Sequence, residues 1–205
     1  LVRVEDTWPV QIEWLQRWLG DRRGAWLYRR IRGVDSSEVD PHERRKSISA
    51  ERTFAEDIGD DRELGRRLLK LTGSVASTLR KKCFRARTVT VKLRDSDFKT
   101  RQHSQTVPEA IESDAAIHEI AKALLFDLRA DRRMPVRLLG VGLTGLVGSE
   151  DAPQLGLFAN SGAGETDRER AVSRTVDELR NRFGRGAVMP GLLVEAKKTP
   201  GGPKK

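Results

Sequence analysis

The chain has 205 residues, 37% hydrophobic and 34% charged, enough for one domain and a small appendage beneath a heavily charged surface. It shows no apolar run of about eighteen residues and no secretory pattern. One cysteine and three histidines exclude an internal disulfide and make a zinc cage a poor fit, so a reducing, cytoplasmic setting is the expectation.

Residues 8–33 predict two short helices. Trp14, Leu15, Trp18 and Leu19 recur at helical spacing after Pro9. Gly20 breaks the run, and Trp26, Leu27 and Ile31 continue an apolar face as far as Gly33. Trp14, Trp18 and Trp26 are expected in a core, and Trp8 near the terminus is expected to lack its packing partner. Two such helices hide little surface alone, which predicts the tail of a helical subdomain. The polar stretch 34–46, with Pro41 and no periodicity, predicts a linker.

From Ser47 the texture changes, and residues 47–54 approximate strand alternation. Asp60 and Asp61 offer an N-cap to a long helix with Leu64, Leu68, Leu71, Val75 and Leu79 on one face. Residues 88–94 alternate cleanly, Val89, Val91 and Leu93 to one side, Thr88, Thr90, Lys92 and Arg94 to the other. After the turn formers Asp95, Ser96 and Asp97, a second extended stretch starts at Phe98 and stops at Pro108. A helix carrying Ile117, Ile120, Ala121, Leu124, Leu125 and Leu128 follows, and residues 136–147 are apolar enough for a buried strand. The order β-α-β-β-α-β predicts an α+β fold, a four-stranded antiparallel sheet with both helices on one face, preceded by the short helices. Residues 149–205 read as a flexible C-terminal region with a candidate helix at 169–183, where Val172, Val176 and Leu179 share a face.

The formal net charge of +9 points to an anionic partner, and its distribution sharpens the point. From Arg80 to Arg101 nine basic residues stand against two acids, threaded through the strand pattern. Hydroxyls and strand amides donate to phosphate oxygens, while Lys and Arg displace condensed counterions. In a neutral protein such a face would simply be solvated; the concentrated cations favour a phosphate footprint. An RNA-recognition sheet shares the element order but needs aromatics on its central strands, whereas Phe54 and Phe98 fall inward or at edges. Glu56-Asp57 and Asp60-Asp61 read as a loop and a helix cap, not a two-metal platform. Cys83 is expected to pack, and His118 to lie at a surface or edge.

The string Lys46-Ser47-Ile48-Ser49-Ala50-Glu51-Arg52-Thr53-Phe54 resembles the opening of the little-finger domain of Y-family translesion DNA polymerases of the bacterial DNA polymerase IV type. Arg85-Ala86-Arg87-Thr88-Val89-Thr90-Val91-Lys92-Leu93-Arg94 resembles that domain's next strand. Asp97-Phe98-Lys99-Thr100 with Thr106-Val107-Pro108 resembles the hairpin strand after it, and Val136-Arg137-Leu138-Leu139-Gly140-Val141-Gly142 the last strand. Upstream, Arg23-Gly24-Ala25-Trp26-Leu27 through Arg32-Gly33 is similar to the end of the thumb domain, and Arg182-Phe183-Gly184 also fits bacterial members. Each string is weak alone; their order and spacing together are specific.

The resemblance implies an organisation: 1–33 the end of the thumb, 34–46 a linker, 47–148 the little finger, 149–205 a C-terminal region. It implies a monomer that grips primer-template duplex in DNA repair and damage bypass, the little finger in the major groove and the thumb on the minor-groove side. Its implied DNA-binding residues are Lys46, Ser47, Ser49, Arg52, Thr88, Thr90, Lys92, Arg94, Lys99, Arg101 and His103. Many relatives carry Arg where His103 and Gln105 stand, so grip through that strand is expected to be weaker. The fingers and the palm, which holds Mg²⁺, would precede Leu1; no cofactor or catalytic residue is therefore expected on this chain, which alone should be inactive. Gln154-Leu155-Gly156-Leu157-Phe158 resembles the peptide that binds the bacterial sliding clamp, with Gln154 anchoring by hydrogen bonds and Leu155, Leu157 and Phe158 filling an apolar pocket. The plain alternative has these apolar residues capping the sheet core. The runner-up function is a stand-alone, non-catalytic DNA- or clamp-binding accessory module, against which the start at Leu1 and the orphaned thumb helices stand.

Overall fold

A 3-10 turn at Val4–Thr7 leads into helices α1 (Ile12–Leu19) and α2 (Asp21–Arg30). The computed structural model describes residues 3–38, 45–148 and 165–194, and the chain divides into two units, Leu1–Arg44 and Arg45–Lys205. In the first unit a Cβ at Gly24 would come within 2.4 Å of the Gln16 backbone, so glycine is what lets α2 press against α1. Leu15 is buried between them. The tryptophans depart from expectation: Trp14, Trp18 and Trp26 are exposed, because a two-helix hairpin has a single inner side and Leu15 takes it. The Trp14 and Trp18 rings meet at 6.0 Å, and Arg17 and Arg30 sit over Trp14 and Trp26. Trp8 is exposed, in keeping with the expected lack of a packing partner, but it is tied by hydrogen bonds: its indole N–H donates to the Ile31 carbonyl at 3.0 Å, and Arg32 donates to the Trp8 carbonyl at 2.6 Å.

The second unit runs β1 (Ser47–Ile58), α3 (Asp61–Lys81), β2 (Phe84–Asp95), β3 (Thr100–Ile111), α4 (Asp114–Asp131), β4 (Val136–Gly148) and α5 (Asp167–Phe183), then a 3-10 turn at Gly191–Leu193. The four strands form one antiparallel sheet in the order β1-β4-β2-β3. Val89, Val91 and Leu93 of β2 and Leu139, Val141 and Leu143 of β4 pack with Leu64, Leu68, Val75 and Leu79 of α3 and Ile117, Leu124 and Leu128 of α4. One side of the sheet is therefore sealed by helices. Asp60 caps α3 by accepting from the Arg62 amide at 3.0 Å, and Ser113 caps α4 by accepting from Ala116 at 3.2 Å.

Several local expectations are corrected. Strand β3 continues through Pro108 to Ile111; it is an edge strand paired only with β2, and Pro108 falls where that pairing shifts register between Thr106 and Ile111, so the proline is carried at an irregularity of an edge strand. Cys83 is exposed, at φ 55° in the tight turn from α3 to β2. His118 stays within the expected surface-or-edge setting, half-buried with its Nδ1 3.3 Å from the Thr72 hydroxyl, and burial lowers its pKa.

Helix α5 begins two residues before the candidate helix and packs by its polar side. The Glu165 carboxylate ahead of it accepts from the Glu112 and Ser113 amides, the Ser173 hydroxyl accepts from the Asp114 amide, and Arg174 pairs with Glu112 at 2.6 Å. Asp177 pairs at 2.7 Å with Arg80, whose side chain is buried. Burial alone would lower the Arg80 pKa, but Asp177 and Asp114 outweigh it and raise it. Val172, Leu179 and Phe183 stay exposed.

Candidate functional site

Successive strand residues point to opposite faces, so the sealed side fixes what the open side displays. Strand pairing arranges the open side in four rows of four. The first is Ser47, Thr144, Thr88 and Thr106; the second is Ser49, Gly142, Thr90 and Ser104. Glu51, Gly140, Lys92 and Gln102 form the third, and Thr53, Leu138, Arg94 and Thr100 the fourth. Hydroxyls thus dominate, with two cations at the centre of one end. The Thr88 and Thr106 hydroxyls bond to each other at 2.9 Å, and Arg94 Nε donates to Thr100 Oγ1 at 2.9 Å. Lys92 Nζ reaches both Glu51 oxygens, at 2.9 and 3.2 Å, across Gly140. Beyond the rows, Gly145 takes φ +63° beside exposed Arg87, where the pairing of β2 with β3 shifts register, a conformation that favours glycine.

Of the residues expected at an anion-binding face, Ser47, Ser49, Thr88, Thr90, Lys92 and Arg94 are brought together here. Arg52, Arg101 and His103 are not. The register sets them opposite Leu139, Leu93 and Val91, all core-facing positions. Arg101 donates to both oxygens of Asp95 at 3.2 Å and to the Leu128 carbonyl, and Arg132 joins Asp95 at 3.1 Å. Asp95 is 0% exposed, so Arg101 serves to neutralise a buried carboxylate. His103 Nε2 lies 3.7 Å from Asp131 on α4, and Arg52 is exposed at the sheet edge. Lys99 stands exposed in the β2–β3 turn, its Nζ 3.9 Å from Asp97, next to Phe98, which is exposed at φ 65° beneath Arg137. Lys46 is exposed just ahead of β1. Gln154, Leu155, Leu157 and Phe158 lie outside the described residues. Sequence reasoning missed Glu51, Thr53, Thr100, Gln102, Ser104, Thr106 and Thr144 as members of this face. Alternation within one strand gives parity only, and cross-strand register decides which strands share it.

Residues 45–157, more than half of the chain, match the C-terminal domain of the impB/mucB/samB family. The chain belongs to that family. Its sequence is 41% identical over 120 residues to DNA polymerase IV of Staphylococcus aureus strains JH9 and Newman, a match covering 58% of this chain and 33% of each of those proteins. The chain thus spans about a third of the length of these relatives. A Y-family DNA polymerase chimera of known structure shares the fold, with a TM-score of 0.53 at 20% identity over 71% of this chain and 41% of that one. The resemblance read from the sequence and the four-stranded α+β fold are both borne out. The impB/mucB/samB match ends before α5, so the helix that clasps α3 and α4 lies beyond it. Among the described residues no three His, Cys, Asp or Glu converge as metal ligands, and no helix is long and apolar enough to cross a membrane.

Proposed function

We propose that the open sheet face grips the phosphate backbone of duplex primer-template DNA on behalf of a longer Y-family polymerase active in damage bypass. The observation that carries this reading is the register: it gathers nine Ser and Thr hydroxyls with Lys92 and Arg94 on a single face turned away from the helices. Hydroxyl donors and a few cations suit a backbone whose position must be held without reading its sequence. The relatives named DNA polymerase IV support the same reading. Each phosphate that a cation of this face neutralises steepens the fall of log affinity for duplex against log salt by about 0.9. Arg94→Ala flattens that slope by about 0.9, and an unchanged slope would remove the face as the footprint.

On the same reading Gln154, Leu155, Leu157 and Phe158 tether the polymerase to the bacterial sliding clamp. Each apolar anchor contributes roughly 1.5–3 kcal/mol when buried, so replacing Leu157 and Phe158 by Ala weakens clamp binding at least about a hundredfold while duplex affinity stays constant. A large fall in melting temperature with clamp affinity intact would instead assign these residues to packing. Metal-dependent nucleotidyl transfer belongs to other parts of such a polymerase. Purified chain with primer-template, Mg²⁺ and nucleotides therefore yields no extension, and template-dependent extension would overturn the assignment.

A further inference from the structure

Glu51 is the only acid in the four paired rows of the open face, and it stands in the row that holds Lys92. Its carboxylate does not point away into water: both oxygens accept from Lys92 Nζ, at 2.9 and 3.2 Å. The intervening residue is what permits this. A Cβ at position 140 would lie 2.8 Å from Glu51 Cγ and 3.3 Å from its Cδ, so the glutamate arm crosses β4 where Gly140 leaves room. A glycine, an acid and a lysine on three adjacent strands form one device.

We propose that Glu51 is an intramolecular competitor of phosphate for Lys92, and so limits how tightly this face holds a duplex; the inference rests on reading the face as the duplex surface. A carboxylate offers the same two-oxygen acceptor geometry as a phosphate. In the free protein it keeps Lys92 neutralised. The pair is partly exposed, its side chains 30% and 42% accessible, and pairs of that kind are held weakly. A closely spaced row of phosphates can therefore share or displace Glu51, but only by giving up part of the electrostatic gain. Arg94 donates to the neutral Thr100 hydroxyl and shares its row with no acid, so it faces no such competition there. The face then combines one firm cation with one restrained cation, a grip that releases readily as a duplex moves across it.

The test compares duplex affinity and its salt dependence in the wild-type chain, Glu51→Gln, Lys92→Ala and the double variant. Glutamine keeps the arm over Gly140 and removes the charge. Freeing Lys92 adds about one phosphate contact, so Glu51→Gln steepens the salt slope by roughly 0.9 and tightens binding about eightfold at 0.1 M salt. In the Lys92→Ala background the same change alters affinity less than about twofold, because the cation it would free is gone. An equal gain in both backgrounds would show that Glu51 acts only through its own charge and overturns the competition. A loss of affinity in Glu51→Gln would also overturn it, by making Glu51 a direct acceptor for the nucleic acid. Duplex binding that is absent in the wild-type chain, or indifferent to Arg94→Ala, would sink the surface reading itself.

Discussion

Asp95 is fully buried, and two guanidiniums, from Arg101 and Arg132, converge on it. Removing one partner of such a cluster leaves charge in the interior without full compensation, which costs about 3 kcal/mol, less where a second cation remains. Arg101→Ala is therefore expected to lower stability by roughly 2–3 kcal/mol, read as a fall in melting temperature of about 5–10 °C, with the salt slope of duplex binding unchanged. Arg94→Ala is expected to do the reverse. His118 adds a pH dependence. Burial holds its folded pKa below 6.5, so the unfolded chain takes up the proton first as pH falls. Its contribution to stability is full above pH 6.5 and is lost as pH drops through the folded pKa; His118→Gln should flatten that decline in a pH series of urea melts. The alternation Thr88 to Arg94 made the outward residues of β2 legible from sequence alone. The parity of β3 was not, because it depends on the turn from Asp95 to Lys99, which pairs Arg94 with Thr100 and so turns Arg101 inward.

Among the elements, α5 shows most plainly what local periodicity cannot reveal. Val172, Val176 and Leu179 do repeat at helical spacing, and the helix forms, but the ends of α3 and α4 offer it Arg80 and backbone amides rather than an apolar surface. Its clasp rests on pairs 52 to 97 residues apart in sequence, a separation that no window-based pattern spans. Glu165→Ala would leave the Glu112 and Ser113 amides without their acceptor, at a cost of about 1–3 kcal/mol per buried group. Faster hydrogen exchange at those two amides, with unaltered duplex affinity, is the expected signature; unchanged exchange would show that the clasp does not hold the start of α4. The core elements, by contrast, were readable because α3, α4 and the central strands bury one clean face each, with Leu64, Leu68, Val89, Val91 and Leu139 at the expected positions.

At the scale of the molecule, helices seal one side of the sheet and the basic, hydroxyl-rich rows occupy the other. The net charge of +9 overstated the footprint, since two cations of the basic stripe are spent on ion pairs inside the fold, Arg80 with Asp177 and Arg101 with the buried Asp95. What remains on the open face is two cations and many hydroxyls, a surface suited to following a backbone more than to seizing it. Amide-shift mapping of the labelled chain with a short primer-template duplex tests this most directly. The account predicts perturbations concentrated at Thr88, Thr90, Lys92, Arg94, Ser104 and Thr144, with α3 and α4 silent; shifts confined to the helices and absent from these strands would contradict it.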